Sequence, residues 1–565
     1  MLHASGALGL IWTLSRMAIL RLWGYPGGSV LGLYDEIYRC GLLRHMSVRS
    51  EPAAAYAACS FYAATRELGS CLVTSGPGIT NAITGIATAD ADSVAVLVIS
   101  GQVPLASIGM GSFQECDAIG LASPCTKGCY SLRRVLDIRR AAWEASLVAV
   151  TNKPSPVLLD FPKDVVRFTL PGVTALKLRY RRNHTAPLDV WSEPCLYVYA
   201  HLAARYIASA ARPLAYVGGG SAYSVQRLAH IAWAACMPFA GSLMGLDAIP
   251  TMGSVGMVGM YGRLGSNIAL QYCDLVAAMG ARFDDRVVTS PARLVWRGRA
   301  VVSVNVSSSL TRNVGVSHMA MANVEHFIGT LCRLLSVRCA LNGWSLRPWT
   351  ILRRSWRIHQ RHCRMGYVLY GNMFRRAVIG ACSVCCDVGQ HQMWSAQYNT
   401  AGITARRINS GGLGTMGCGL PFAMSAQTLS HGLYSLCITG NGSLQMSMHE
   451  LPTLRDMGSR VIVIVLNNGS LGMVRQWQQV EHCGRYSQSA SAMYACSSSI
   501  AEQQGHVGVD VLGPVHVFAA FAESRSSVRN TALLNVLHSS HECVWPMVQG
   551  GRSITNMMTS SRDIN

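Results

Sequence analysis

Three segments in the last third of the sequence combine apolar strands with turns that could hold a phosphate and a metal ion. They are residues 387–391 (DVGQH), 411–417 (GGLGTMG) and 440–442 (GNG), and Asn468 follows the apolar run VIVIVL. Glycine turns at the carboxyl ends of strands leave backbone N–H groups and helix N-termini free to bind phosphate. Amide and carbonyl oxygens opposite them suit Mg²⁺, which prefers oxygen ligands. A single glycine turn often binds nothing, but three in this order predict a diphosphate and metal site.

The first third of the sequence contains one acid that could transfer protons. Glu51 opens an Ala-rich stretch after Arg49 and Ser50. Burial of such a carboxylate would raise its pKa toward the range that suits proton transfer near neutrality. The alternative is an acid that only stabilises a helix N-terminus through the dipole. The turns 74–78 (TSGPG) and 112–115 (SFQE) could line the same site.

Composition narrows the class of protein. A chain of 565 residues with 50% hydrophobic residues and 54 glycines is typical of a wound α/β protein of about three or four domains. A net charge of +20 ordinarily indicates nucleic acid, yet the basic residues are spread along the chain. The densest clusters, 179–182 and 353–364, contain only Tyr180 and Trp356 as large aromatics, too few for a platform on which bases stack. We therefore interpret them as solvated linkers, with an anionic contact surface as the alternative.

Short apolar strands alternate with helical stretches in three successive segments, which predicts an α/β fold of three consecutive domains. Each domain would be built on a mainly parallel sheet flanked by helices, over residues 1–170, 190–340 and 368–550. The apolar runs are too short to cross a membrane. The apolar N-terminus, residues 1–23, predicts an amphipathic helix, with a signal peptide as the alternative. The CxxCC of residues 382–386 predicts a buried strand in a reduced protein rather than a zinc site.

The ordered motifs resemble a known family over residues 8 to 550. They are GYPGG, VTSGPG, GQVP, FQE, PVLLDFPKD, GMVGMYG, GARFDDR, DVGQHQMW, GLGTMG, GNGS…NN and GMVRQWQ. In this order they resemble the thiamine-diphosphate enzymes, and more closely the catalytic large subunits of acetolactate synthase (acetohydroxyacid synthase) of the bacterial isozyme II type. The resemblance implies the thiamine-diphosphate enzyme architecture, with a pyrimidine-binding domain, a central FAD-binding-type domain and a diphosphate- and Mg-binding domain.

The resemblance also implies roles for individual residues. Glu51 would activate the aminopyrimidine of the cofactor, and Met416 would bend the cofactor. Arg286 would bind the carboxylate of the second substrate, and Trp477 would pack its tail. The remaining catalytic positions implied are Gln114, Lys127, Phe113 and Met257.

Three cofactors are implied: thiamine diphosphate, Mg²⁺ and FAD. The thiamine-diphosphate positions are Glu51, Val388, Gly389, Gln390, His391, Gly414, Met416, Gly440, Gly442 and Ser443. The FAD positions are Lys153, Gly218, Gly219, Gly220, Tyr261, Gly280, Arg282, Asp284 and Asn305. The metal ligands are Asn441, Asn468 and the carbonyl of Ser470.

Several positions depart from the family pattern. Asn441 stands where the family has an aspartate, which removes a full negative charge from the metal site. In the flavin site, Lys153 replaces arginine, Asn305 and Val324 replace aspartates, and Tyr261 replaces histidine. We expect weakened metal binding rather than a vacant site.

The implied function is a transferase of branched-chain amino-acid biosynthesis, leading to valine, leucine and isoleucine. It would decarboxylate pyruvate and transfer a hydroxyethyl unit to pyruvate or 2-ketobutyrate. The alternatives are a scaffold with impaired or no activity because of Asn441, or a related carboligase or decarboxylase. We expect a cytoplasmic homodimer with shared active sites, as a tetramer if a small regulatory subunit joins it, without nucleic-acid or membrane partners.

Overall fold

Three parallel sheets follow one another along the chain. The computed structural model describes residues 5–168, 193–336 (without 236, 252, 290–298 and 312–313), 380–512 (without 399–404, 431 and 491–495), 516, 520 and 531–564. Over these residues each sheet has six strands, and their pairings are parallel. The predicted fold class is therefore confirmed. The basic clusters 179–182 and 353–364 lie outside the described residues, and the domain boundaries stay predictions.

The first sheet has the strand order β2-β1-β3-β4-β6-β5. Its central strands β3, β4 and β6 are buried along their whole length, as expected for a parallel sheet covered by helices on both faces. The strands are β1 (Arg21–Gly24), β2 (Arg44–Ser47), β3 (Gly69–Val73), β4 (Val96–Gln102), β5 (Gly128–Ser131) and β6 (Val157–Pro162). The helices are Gly6–Arg16, Leu31–Cys40, Glu51–Thr65, Pro77–Ala91, Ala118–Ala122 and Ile138–Val150.

The second sheet has the order β12-β11-β10-β7-β8-β9 and forms the middle of the chain. The sequence PLAYVGGGSAYS predicts strand, glycine turn and helix, and the structure has β7 followed by a 3₁₀ turn at Gly219–Ser221 and then a helix. The strands are β7 (Pro213–Val217), β8 (Phe239–Gly241), β9 (Ser254–Met257), β10 (Leu275–Met279), β11 (Ala300–Asn305) and β12 (His318–Met321). The helices are Glu193–Ser209, Val225–Ala234, Leu264–Tyr272 and Val324–Ser336.

The third sheet has the order β14-β13-β15-β16-β18-β17. Cys385 and Cys386 are buried in β13 as small apolar residues, and among the described residues no three His, Cys, Asp or Glu side chains cluster as metal ligands. The strands are β13 (Ala381–Cys386), β14 (Arg406–Asn409), β15 (Tyr434–Gly440), β16 (Val461–Asn467), β17 (Val507–Leu512) and β18 (Ala532–Leu537). The helices are Gln390–Tyr398, Gly419–Gln427, Asn441–Gln445, Leu451–Asp456, Gly472–Glu481 and Ser497–Gln503.

Each sheet has one point where the strand order reverses, and such points are the usual ligand sites of open α/β sheets. The reversal lies between β1 and β3 in the first sheet, between β7 and β10 in the second and between β13 and β15 in the third. The glycine turns 387–389 and 440–442 follow β13 and β15, while the turn 411–417 follows the neighbouring edge strand β14. The topology therefore places them where a ligand would bind.

The first and third sheets share one hydrophobic core. Its buried residues include Leu72 and Ile99 from the first sheet and Val463 and Leu533 from the third. The Ser60 hydroxyl donates to the carbonyl of Phe422 at 2.8 Å across this boundary. None of the helices in the described parts of the chain has the length and apolar character needed to span a bilayer.

Candidate functional site

A buried carboxylate organises the reversal point of the third sheet. Asp387 follows β13 and is fully buried. It accepts hydrogen bonds from the backbone N–H of Val388 (2.8 Å), Gly417 (2.9 Å) and Gly419 (3.0 Å). Burial raises the pKa of Asp387 to about 6, and the three N–H donors oppose that rise. The carboxylate thus fixes the loop that carries Met416 against the end of β13.

Beside Asp387 lies a small pocket of backbone turns and one neutral histidine. Gly389 has φ of 153°, and a Cβ there would lie 2.7 Å from the His391 ring. A Cβ at Gly440 would lie 3.1 Å from His391 Nδ1, so both glycines let the backbone approach the ring. Burial lowers the pKa of His391 to about 3, and its buried Nε2 has no hydrogen-bond partner. Such a buried nitrogen without a partner is expected where a ligand binds.

The predicted metal ligands lie on the turns after β15 and β16. Asn441 is 3% exposed, and its Nδ2 has no partner. Asn468 Oδ1 accepts from the Ser470 N–H at 3.0 Å, and Asn468 Nδ2 donates to Gln390 at 3.2 Å. The Ser470 hydroxyl is also buried without a partner. These groups are all uncharged, so the site offers a dication oxygen atoms but no compensating negative charge.

The Gln390 side chain is hydrogen-bonded to its neighbours in the third-sheet region. Its Nε2 donates to Gln476 Oε1 and to the Glu542 carbonyl, each at 3.1 Å. Its Oε1 accepts from Asn468. The side chain therefore holds the Asn468 turn in place and is already hydrogen-bonded on both sides.

A second carboxylate, partly buried, holds the other end of the Met416 loop. Asp92, at the end of a first-sheet helix, accepts from the N–H groups of Gly411 (3.0 Å) and Gly412 (2.5 Å). Burial raises the pKa of Asp92 to about 6, while these N–H groups and the nearby Arg282 oppose the rise. Gly414 has φ of 75° and open space around it. A loop fixed at both ends presents its middle to the cavity.

Glu51 begins the helix Glu51–Thr65 and is 9% exposed. Its Oε2 accepts from Asn81 Nδ2 at 3.2 Å. The residues just before it are held by Glu450 of the third sheet region, which is fully buried. Glu450 accepts from the Arg49 N–H at 3.0 and 3.1 Å and from the Ser50 hydroxyl at 3.2 Å. Glu450, far along the sequence, thereby fixes the start of the Glu51 helix.

Gln114 and Phe113 lie on a loop of the first sheet region. Gln114 has φ of 59°, a left-handed conformation that non-glycine residues seldom adopt. Its Cα lies 2.9 Å from the position a Cβ would take on Gly76, so the two backbones are in close contact. Phe113 is 89% exposed. The loop therefore presents an aromatic ring to the outside of this single chain.

Residues predicted to bind the second substrate come together between the second and third sheets. Met257 and Tyr261 belong to one buried cluster, against which Met473 and Trp477 pack. The Tyr261 hydroxyl donates to the Met473 sulfur at 3.3 Å. Burial raises the pKa of Tyr261 above its usual value, and the charge of Arg286 opposes this rise. The grouping gives an apolar wall with one guanidinium beside it.

A large cavity of about 1720 Å³ runs between the three sheets. Drug-sized ligands usually occupy cavities of roughly 300–1,000 Å³, so this one has room for a dinucleotide. Of the predicted positions, the cavity is lined by Lys127, Lys153, Gly219, Gly220, Met257, Tyr261, Gly280, Arg282, Asp284, Arg286, Asn305, Val388, Gly389, Gly414 and Met416. Glu51, Phe113, Gln114, Trp477 and the three metal candidates do not line it.

The glycines of the second sheet have a packing role as well. A Cβ on Gly218 would lie 2.2 Å from the Gly280 carbonyl oxygen, and one on Gly220 would lie 2.9 Å from the Gly280 Cα. The turns after β7 and β10 therefore touch, which requires glycine with or without a ligand. A Cβ on Gly219 would lie 3.2 Å from the Met244 Cβ, and Gly219 lines the cavity.

The charged groups of the proposed flavin site are mostly paired. Lys153 Nζ lies 2.9 Å from Asp90, and Arg282 lies 3.3 Å from Asp284. Asn305, which replaces an acid, donates to the Ala281 carbonyl at 3.0 Å. Lys127 donates to the carbonyls of Thr151 and Lys153, and burial with the Lys153 charge lowers its pKa to about 8.

The residues present fit the implied groups. The unpartnered His391 Nε2 and Ser470 hydroxyl are buried donors suited to a phosphate. Asn441 and Asn468 have amide oxygens suited to Mg²⁺. The volume of the cavity and the glycine turns that line it fit a dinucleotide such as FAD.

Comparison with known proteins assigns the class and then the family. Three family models match the chain: "Thiamine pyrophosphate enzyme, N-terminal TPP binding domain" at residues 5–121, "central domain" at 200–331 and "C-terminal TPP binding domain" at 387–536. The class is thus that of the three-domain thiamine pyrophosphate enzymes.

Curated relatives narrow the assignment. The chain is 34% identical to the acetolactate synthase isozyme 3 large subunit of Escherichia coli, over 99% of each protein. It is 33% identical to the isozyme 2 large subunit of the same organism, over 98% of this chain and 99% of the relative. The acetolactate synthase large subunit of Haemophilus influenzae matches at 33% over 98% of each protein. The chain belongs to the acetolactate synthase large-subunit family, and these identities are too close to separate the isozyme types.

Several residues that shape the site were missed by the sequence analysis. Asp92, Glu450 and Gln476 each bond to a residue that was singled out, yet none stands in a recognisable motif. Their partners in these bonds lie 319, 401 and 86 residues away along the chain. Asp387 was noticed at its strand end, but its role as an acceptor for the Met416 loop had no signal in the sequence.

Proposed function

We propose that this chain catalyses the acetolactate synthase reaction. Pyruvate is decarboxylated, and the remaining two-carbon unit is joined to a second 2-ketoacid. The products are 2-acetolactate from pyruvate and 2-aceto-2-hydroxybutyrate from 2-ketobutyrate, which lead to branched-chain amino acids. The observation that carries the proposal is the likeness to acetolactate synthase large subunits over 99% of both chains.

The chain's own residues have separate tasks in binding the cofactor. Thiamine diphosphate, when bound, would supply the carbon nucleophile and the electron sink that decarboxylation of a 2-ketoacid requires. Glu51 holds a proton at its carboxyl oxygen for the aminopyrimidine ring. His391, Ser443 and the N–H groups after β13 hold the diphosphate. Met416, on the loop fixed by two aspartates, would pack against the cofactor and support its conformation.

The metal ion would be Mg²⁺, held by the amide oxygens of Asn441 and Asn468 and the carbonyl of Ser470. Mg²⁺ keeps its water tightly, and carboxylates are the protein groups that usually compete with that water. A ligand set of amides and a carbonyl should therefore bind it weakly. The diphosphate of the cofactor would supply the negative charge that the protein does not.

The second substrate would bind at the apolar wall between the second and third sheets. Arg286 holds its carboxylate, because a guanidinium can donate two parallel hydrogen bonds to a carboxylate. Trp477 and Met257 pack the alkyl tail and exclude water from it. Gln114, Lys127 and Phe113 would complete the site. FAD would occupy the large cavity without a redox role.

A second copy of the chain would complete the active site. Glu51, Gln114 and Phe113 do not line the cavity that holds Val388, Gly389 and Met416, and Phe113 is 89% exposed. Both observations support a homodimer in which each subunit supplies its first-sheet residues to the other's third sheet. A small regulatory subunit joining two such chains into a tetramer and a cytoplasmic location remain further expectations from the resemblance.

The test is a product assay with pyruvate, thiamine diphosphate, Mg²⁺ and FAD. Acetolactate should form with the native chain and be lost in Glu51→Gln. Acetaldehyde as the main product would identify a decarboxylase. Sedimentation of the same samples should show a dimer, and an active monomer would contradict the shared site.

A scaffold without turnover is the second candidate, and the uncharged metal site around Asn441 is the observation that favours it. It predicts thiamine-diphosphate binding without acetolactate at any Mg²⁺ concentration. Activity that rises with Mg²⁺ would rule this candidate out.

A further inference from the structure

One tyrosine hydroxyl contacts the helix Gly472–Glu481 on the face that carries the predicted substrate wall. Met473 and Trp477 are four residues apart on this helix, so their side chains are neighbours on the same face. Both pack against the buried cluster that contains Tyr261. The Tyr261 hydroxyl donates to the Met473 sulfur at 3.3 Å. The hydroxyl therefore reaches the helix one turn before Trp477.

The polar environment of Tyr261 includes the Trp477 side chain as well. Burial raises the pKa of Tyr261 above its usual value, while the Arg286 charge and a hydrogen bond with Trp477 oppose that rise. An indole N–H only donates and a thioether sulfur only accepts, whereas a hydroxyl does both. The direction of the two bonds is thereby fixed. Trp477 donates to Tyr261, and Tyr261 donates to Met473.

The segments that this hydroxyl joins are themselves anchored. Tyr261 is 3% exposed, and its backbone carbonyl accepts from Gln397 Nε2 at 2.9 Å. On the helix, Gln476 is 1% exposed, and its Nε2 donates to the Val544 carbonyl at 2.9 Å. Trp477, the next residue along the helix, is only partly buried. The bond to Tyr261 therefore fixes the indole where packing alone holds it less firmly.

The segment that carries Tyr261 also fixes the backbone of Arg286, which would hold the substrate carboxylate. The Met260 N–H donates to the Arg286 carbonyl at 2.6 Å. A Cβ on Gly259 would lie 2.5 Å from the same carbonyl oxygen, so the close approach requires glycine. Because Tyr261 follows Met260 directly, this segment sets the spacing between the Arg286 backbone and the apolar wall.

We propose that Tyr261 is a positioning residue whose hydroxyl fixes the Trp477 indole against the alkyl tail of the second 2-ketoacid, and thereby favours 2-ketobutyrate over pyruvate as acceptor. The inference rests on the proposed function for the identity of the substrates. An extra methyl gains contact energy only from a wall that stays in place, since a gap below 1 Å already forfeits a large part of the dispersion attraction. This role differs from the flavin contact that the resemblance implies for Tyr261, because two side chains of one third-region helix engage the hydroxyl.

The test compares Tyr261→Phe with the native chain, because phenylalanine removes the hydroxyl and keeps the ring. With equal concentrations of pyruvate and 2-ketobutyrate, the ratio of 2-aceto-2-hydroxybutyrate to 2-acetolactate should fall about two- to tenfold, the range of one hydrogen bond. In a Trp477→Leu background the same substitution should change the ratio by less than about twofold, since the indole on which it acts is absent. Tyr206→Phe is the matched control, because the Tyr206 hydroxyl bonds to His318 at 2.7 Å in the second sheet region.

A second measurement follows the indole without turnover. The chain is labelled with fluorotryptophan, and the fluorine NMR signal of Trp477 is the one missing from Trp477→Leu. This signal should shift or broaden in Tyr261→Phe and stay in place in Tyr206→Phe. An unmoved signal would overturn the proposal, and so would a moved signal with an unchanged product ratio. Weaker FAD binding as the only change in Tyr261→Phe would assign the hydroxyl to the flavin and overturn it too.

Failure of the proposed function is a separate result. A native chain that forms neither product refutes that function, and 2-ketobutyrate can then be titrated against the Trp477 signal without being consumed. The affinity for 2-ketobutyrate should still be about two- to tenfold weaker in Tyr261→Phe than in the native chain. Equal affinities would overturn the positioning role.

Discussion

Replacing Asn441 by aspartate adds a negative charge to the proposed metal site. This substitution should change Mg²⁺ binding more than any other property. In Asn441→Asp a carboxylate would replace an amide that is 3% exposed and has an unpartnered nitrogen. A unit-charge pair at about 4 Å is worth roughly 4 kcal/mol at an effective dielectric near 20. Desolvation of the buried carboxylate offsets part of that gain. We expect about 1.4–2.8 kcal/mol to remain, or about a 10- to 100-fold gain in Mg²⁺ affinity.

Without metal, Asn441→Asp should lower the stability of the folded chain. A buried carboxylate with no cation nearby is a desolvated charge, and the chain should then unfold more easily. With Mg²⁺ and thiamine diphosphate present, the order of stability should reverse, since a bound ligand stabilises the folded state by mass action. This crossing of the two stability curves is the specific signature of a metal ligand.

The assay is thermal unfolding over a range of Mg²⁺ concentrations at fixed thiamine diphosphate, with acetolactate formation measured alongside. Asn323→Asp is the matched control, because Asn323 accepts N–H bonds from Glu325 and His326 at the start of a second-sheet helix, outside the turns that carry the proposed metal ligands. It adds one carboxylate without touching the metal turns. An Asn441→Asp variant with the native Mg²⁺ dependence of both stability and activity would refute the assignment of Asn441 as a ligand.

Three further predictions concern the acid, the substrate wall and a buried histidine. Glu51→Gln should slow exchange of the cofactor C2 hydrogen by orders of magnitude and leave thiamine-diphosphate affinity nearly unchanged, because the amide cannot take a proton; NMR-detected exchange at the native rate would exclude this role. Trp477→Leu should lower the yield of 2-aceto-2-hydroxybutyrate relative to 2-acetolactate in a competition assay, since one methylene in an apolar pocket is worth about 1–3 kcal/mol; an unchanged product ratio would contradict it. Burial lowers the pKa of His45 to about 4, below its unfolded value of 6.5, so folding stability is retained above pH 6.5 and lost as pH falls toward 4. The loss of folding free energy is at most about 3 kcal/mol. The variant His45→Gln, which can keep the bond to Tyr34, should show a smaller difference between its urea midpoints at pH 7 and pH 4.5. Equal differences in the variant and the native protein would refute this prediction.

The sequence analysis succeeded where local pattern and topology coincide. The runs VLVIS and VIVIVL became the buried strands β4 and β16, and the glycine turns 387–389 and 440–442 came to one edge of the third sheet. This follows because parallel strands place their carboxyl ends together.

The contacts that fix these turns were beyond the reach of the sequence. Asp92 bonds to Gly411 across 319 residues, and the pairing of Gln390 with Gln476 spans 86 residues. Hydrogen bonds between distant segments leave no periodicity, and an isolated acid or amide has no distinguishing neighbours. Phe113 illustrates the same limit, because its ring is exposed in the single chain and the role proposed for it requires a second copy of the chain.

The bond between Glu450 and the Arg49 N–H has a consequence for how the protein is made. The two residues are 401 positions apart. At about 5–20 residues per second, the ribosome reaches Glu450 roughly 20–80 s after Arg49. Until then, the turn that leads into Glu51 has no acceptor for its N–H group. The helix start that carries Glu51 is thus completed late in translation, and a nascent chain released early would carry Glu51 without the Glu450 anchor.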